Sequence, residues 1–223
     1  MVQTTKKTDT EIQESVLDEL RWDTRIKEAA VSVEVDRGIV TLTGSVDTWT
    51  ARLAAQEAAH RVAGVMDVAN DIQVEVSGSL ERTDADIARA VRGALEWDVL
   101  VPQARITTTV SNGVVTLSGR VDYWSQYEDA ARAVRNLAGV VEVKNEIDVE
   151  PPAVAPHAVR SAIDRALARH AAHCAKHVNI AIADDRVVLT GEVPSWAERA
   201  TVEGAVRGTP GVRRVDNHLH IRV

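Results

Sequence analysis

Four side chains able to bind a metal crowd into eight residues, His170, His173, Cys174 and His177. On a continuing helix they would share an arc of about 100°, and imidazole with thiolate suits zinc or a similar ion. Four neighbouring ligands rarely close a tetrahedron unaided, and the matching segments elsewhere in the chain, 23–30 and 98–105, include Pro102 and read as loops. The cluster therefore reads first as a polar, pH-responsive loop, with a metal site as the alternative. Asp184 and Asp185, at a predicted turn, are the one local hint of a small-cation site, since potassium needs oxygen-rich loops. His218 and His220 fall on the polar face of the last predicted strand, where Asp71 and Gln73 or Glu146 and Asp148 stand in earlier strands. No Ser–His–acid set, phosphate-cradling glycine loop or carboxylate pair in a predicted pocket stands out, so no catalytic residue, no cofactor and no enzyme activity are assigned.

Binding chemistry is better represented. Trp49, Trp124 and Trp196 each follow a predicted strand and open a predicted helix. An amphipathic ring there can enter a lipid interface or anchor a partner, or it can cover the edge of a small core, and recurrence favours the shared packing role. Arg199 and Arg207 fall on the Trp196 face of their helix, which Glu203 shares, while Arg165 and Arg169 lie opposite an apolar stripe. A basic face of this kind attracts anionic headgroups by about 1 kcal/mol per residue, although a solvated charged face is the commoner arrangement. Trp49, Trp124, Trp196, Arg165, Arg169, Arg199 and Arg207 are thus the candidate lipid- or partner-binding residues.

The elements that position these residues recur. Gly44, Gly119 and Gly191 are spaced by 75 and then 72 residues, and the same two spacings relate the three tryptophans, Gly64 to Gly139 to Gly211, and Asn70 to Asn145 to Asn217. Within each repeat, Ile12, Val16 and Leu20, then Ile87, Val91 and Leu95, then Val159, Ile163 and Leu167 recur at helical spacing. Thr8 with Glu11 and Thr83 with Asp86 resemble capping boxes. Alternating runs follow, joined by Asp36-Arg37-Gly38 or by Asn112-Gly113, a strong hairpin signal; the third repeat has Asp184-Asp185 there, which predicts a strained or different turn. A second helix has inward residues such as Ala55, Ala58, Ala59 and Val62, and is expected to end at Gly64, Gly139 or Gly211. A last alternating run, such as 68–76, predicts a third strand.

Composition is that of a folded chain, with 45% hydrophobic and 26% charged residues, but it contains no Phe, so packing must rely on Val and Ala. One cysteine excludes an intramolecular disulfide. The net charge of −7 is uneven, because residues 151–223 carry an excess of basic side chains and six of the seven histidines. Net charge and the lack of a basic stripe with stacking aromatics disfavour nucleic acid. No apolar run is long enough for a transmembrane segment, and no secretory leader is legible after Met1, so the expected location is cytoplasmic, or periplasmic only if Met1 is not the natural start.

The sequence from Gly113 to Val121, the Ala-rich helix closed by Gly139-Val140, and the run Val143 to Val149 with its Asn145 resemble the BON domain, named after bacterial OsmY and nodulation proteins. The resemblance covers almost the whole chain three times: BON-like modules at 8–76, 83–150 and 156–223. It implies an α+β fold of three tandem αββαβ modules, each a three-stranded sheet with two helices packed on one face. It also implies binding rather than catalysis, with links to envelope and osmotic stress and, in some relatives, to anionic phospholipid. The expectation is a stress-associated bacterial binding or scaffolding protein that engages a protein partner or, peripherally, an anionic membrane surface. The alternative is a cytoplasmic sensor of potassium or another small cation, since one relative of that kind senses potassium.

Overall fold

The computed structural model describes residues 7–26, 30–170, 177–183 and 186–222. The first module holds α1 (Asp9–Trp22), β1 (Val31–Asp36), β2 (Ile39–Val46), α2 (Trp49–Arg61), β3 (Asp67–Asn70) and β4 (Gln73–Val74). The second holds α3 (Asp84–Trp97), β5 (Ile106–Ser111), β6 (Val114–Val121), α4 (Trp124–Val134) and β7 (Glu142–Val149). The third holds α5 (Pro156–His170), β8 (Val178–Ala183), β9 (Arg186–Val193), α6 (Trp196–Arg207) and β10 (Arg214–Ile221).

In every module the middle strand is central, antiparallel to the first strand and parallel to the last. The second helix supplies the crossover that a parallel pair requires. Both helices of a module pack on one sheet face, and three separate apolar clusters form beneath them. The α+β class and the αββαβ order expected from periodicity are thus present three times. The expected single last strand of the first module is split into β3 and β4, both paired with β2, with Asp71 and Ile72 between them.

Local chemistry explains the recurring residues. A Cβ on Gly44, Gly119 or Gly191 would lie 2.0, 2.2 or 2.1 Å from the carbonyl oxygen of Ala30, Arg105 or His177, and each glycine has φ between +122° and +131°. Only glycine lets the first two strands close at that point. The second helices stop at Arg61, Val134 and Arg207, short of the glycines expected to end them. Gly64, Gly139 and Gly211 follow an intervening turn, at φ +96°, +86° and +91°, where they admit the first helix: a Cβ on Gly139 would lie 3.0 Å from Ile87 Cδ1.

Thr8 with Glu11 and Thr83 with Asp86 form the expected capping boxes. The first helix also grips the hairpin. Asp9 carboxylate oxygens accept the Arg37 and Gly38 amides at 2.8 and 2.9 Å, and Asp84 accepts those of Asn112 and Gly113 at the same distances. Arg37 and Asn112 adopt φ of +49° and +51°, so these bonds hold a left-handed turn. Pro156 takes that helix position in the third module and offers no carboxylate. The expected unusual turn at Asp184-Asp185 lies outside the described residues. Asn70, Asn145 and Asn217 tie the last strand to the second helix: their side-chain amides donate to Arg52 O, Tyr127 O and Glu203 Oε2 at 3.0, 2.8 and 2.7 Å.

Candidate functional site

The three tryptophans expected to bind lipid or a partner are half-buried, and each opens a second helix at a boundary between modules. Trp49 packs against the second module's core, and the neighbouring Thr50 hydroxyl lies 2.7 Å from Asn136 Oδ1 and 3.2 Å from the Arg135 carbonyl. Trp124 lies under the Arg207 guanidinium of the third module at 4.7 Å. Trp196 packs against the first module's core and stacks on His60, ring centroids 4.2 Å apart. His60, Arg135 and Arg207 are equivalent positions, related by the same spacings of 75 and 72 residues as the tryptophans themselves. Each second helix therefore sets its start on the end of the next one, first on second, second on third, third on first. Repeating one heterologous contact until it closes relates the modules by an approximate rotation about a common axis.

A second partner for each ring comes from its own helix, one turn on. Arg52 lies 5.2 Å over Trp49, Arg199 lies 4.5 Å over Trp196, and Tyr127 meets Trp124 edge-on at 5.1 Å. The contact between the second and third modules is reinforced by Arg213, 2.7 Å from Asp148 and 3.6 Å from Glu150. Arg207 also pairs with Glu203. Burial beside Trp196 holds the His60 imidazole below its usual pKa; Asp67 opposes this shift and Arg199 adds to it.

The candidate residues do not converge on one face. Arg199 and Arg207 lie against the tryptophans between modules, whereas Arg165 and Arg169 are exposed on α5, lining a shallow groove of about 240 Å³ between α5 and α6. His218 and His220 are exposed. His170 is the last residue of α5 and His177 is exposed just before β8, while His173 and Cys174, like Asp184 and Asp185, lie outside the described residues. Among the described residues no group of three or more His, Cys, Asp and Glu side chains could hold a metal, and no helix is long and apolar enough to cross a membrane.

The most exposed aromatic surface was missed by sequence reasoning. Trp22 is 83% and Trp97 88% exposed, at equivalent places on the last turns of α1 and α3, and Val99 and Leu100 beside Trp97 are also exposed. The readable signal was helical phase: each ring falls two residues past the buried Leu20 or Leu95, about 200° around the helix from the stripe. The corresponding residue of α5 is Arg169. The approximate rotation makes Trp22, Trp97 and Arg169 equivalent places on three helix ends, and all three are exposed.

Parts of this chain are similar to known proteins. The profile described as the BON domain matches residues 8–76, 83–151 and 157–223. The osmotically-inducible protein Y of Escherichia coli (strain K12) is 32% identical over 126 residues, which is 55% of this chain and 63% of that protein. A 21 kDa hemolysin of Actinobacillus pleuropneumoniae is 28% identical over 142 residues, 60% of this chain and 73% of that protein. Among solved structures, CdsD, a structural protein of the type III secretion system of Chlamydia trachomatis, is 15% identical with 94% of this chain and 91% of that chain covered, at a TM-score of 0.27. With three profile matches that together span nearly all of its length, this chain belongs to the BON domain family.

Proposed function

We propose that this protein is a non-enzymatic scaffold that docks peripherally on an anionic phospholipid surface, in a role associated with osmotic stress. The observation that carries the reading is the pair Trp22 and Trp97, 83% and 88% exposed with Val99 and Leu100 beside the second ring. Val99 and Leu100 extend the apolar surface beside Trp97, and indole is suited to the polar–apolar boundary of a bilayer. Arg169 at the third corresponding place, with Arg165 one turn earlier, supplies charge that anionic headgroups attract. The stress association rests on the similarity to the osmotically-inducible protein Y.

Flotation with vesicles containing or lacking anionic lipid, at low salt, tests the reading. Wild-type protein should float with anionic vesicles only, and Trp22→Ala/Trp97→Ala should lose most of that binding while staying folded by circular dichroism. Flotation of wild type with neither vesicle would reject lipid docking, and equal flotation of both proteins with anionic vesicles would reject Trp22 and Trp97 as its site. A soluble protein partner is the competing occupant, and it is favoured if vesicles fail while the same double variant abolishes capture of one defined protein.

A further inference from the structure

The contact of α6 on α2 differs from the other two contacts of the ring in connectivity. The first and second modules are joined by the short segment 75–83, and the second and third by 150–155, but no segment joins the third to the first. A linker keeps the two ends of a contact at high effective concentration, so the unlinked contact opens at least cost in chain freedom. It also carries an imidazole where both other seats carry a guanidinium, His60 against Arg135 and Arg207.

We propose that the Trp196–His60 contact is a latch, and that an opened copy sets its Trp196 helix start on the His60 seat of a second copy, joining chains head to tail. The argument for that occupant is the interface itself. It is heterologous, it is used three times within one chain, and its donor and seat stay complementary whether they belong to one copy or two. Opening leaves one donor and one seat free on each molecule, so two open copies satisfy one another and further copies extend the array.

Protons give a handle on the latch. Facing His60 are Trp196 and Arg199 from α6 and Asp67 at the start of β3; on its own helix, Arg61 pairs with Glu19 and Glu57 with Arg25. Burial and Arg199 disfavour the imidazolium in the closed seat, so the open form binds the proton more readily. Closure is therefore strongest above the ordinary imidazole value of about 6.5 and weakens as pH falls through the lower value of the closed seat. The same proton weakens the seat between copies, so acid yields open chains, and return to neutral pH lets each one close on itself or on another.

The test incubates the full chain near pH 5 at several concentrations, restores pH 7.5, and measures mass by light scattering after size exclusion. Wild-type protein should acquire a dimer fraction that rises with the concentration at which neutral pH is restored, while a sample never acidified stays monomeric. His60→Gln, which keeps a planar polar side chain but carries no charge at either pH, should stay monomeric after the same cycle. Trp196→Ala should open but form no dimers. The proposal is overturned if wild type stays monomeric at every concentration, if H60Q dimerises as much as wild type, or if W196A does.

Discussion

The five tryptophans divide the molecule's energetics from its binding surface, and single Trp→Ala variants should sort into two classes. Trp49, Trp124 and Trp196 are half-buried between modules. Hiding about 100 Å² of each ring at about 25 cal/mol per Å² is worth about 2.5 kcal/mol, and the stacked cations at Trp49, Trp124 and Trp196 add about 0.5–1 kcal/mol each. Relaxation of the neighbours returns part of this, so W49A, W124A and W196A should each cost about 2–3 kcal/mol. Trp22 and Trp97 are 83% and 88% exposed, so W22A and W97A should stay within about 0.5 kcal/mol of wild type. Urea unfolding followed by far-ultraviolet circular dichroism, compared at the first transition, gives the ranking. Iodide quenching supplies an independent reading: W22A and W97A should each remove accessible emission, and the other three should not. The reasoning fails if W22A and W97A cost as much as W124A and W196A, or if all five fall within 0.5 kcal/mol of one another.

Three further outcomes follow from the same coordinates. Gly119→Ala should cost at least about 2 kcal/mol, from a left-handed φ and a Cβ at 2.2 Å from Arg105 O, whereas Gly93→Ala, with open space in mid-helix, should gain up to about 1 kcal/mol; equal thermal midpoints would contradict this. Asp84→Ala removes two bonds to the 112–113 turn and should destabilise the chain by about 1–3 kcal/mol, visible as faster amide exchange in the β5–β6 hairpin. The Arg25 guanidinium holds the Asp23 carboxyl down at about 2, so its contribution is complete above the ordinary carboxylate value of about 3.9 and disappears as pH falls through about 2. Asp23→Asn should therefore be less stable than wild type at pH 6 and match it near pH 1.5, and a constant gap across that range would refute the assignment.

The module was legible because its markers answer to backbone contacts that leave no choice of residue. Gly44, Gly119 and Gly191 face a carbonyl oxygen too close for any side chain, so every copy shows the same letter. The capping boxes and the left-handed hairpin turns were equally readable, being local. The break between β3 and β4 was not, since the apolar alternation runs through Asp71 and Ile72 as it does through the unbroken β7 and β10. The tryptophans were visible at positions 49, 124 and 196, but their neighbours belong to other modules, and no short-range pattern announces that His60 stacks on Trp196. Trp22 and Trp97 escaped notice because the third copy has Arg169, so a search for residues shared by all three passes over them. Helical phase would have found them.

The account rests on three modules closed into a ring, and small-angle scattering from the intact chain at neutral pH and low concentration tests that most directly. A compact chain of this length has a radius of gyration of about 17 Å, and three such modules strung in a line would give about 23 Å or more. The ring predicts a value within about 2 Å of the first figure, and a value near the second would contradict it.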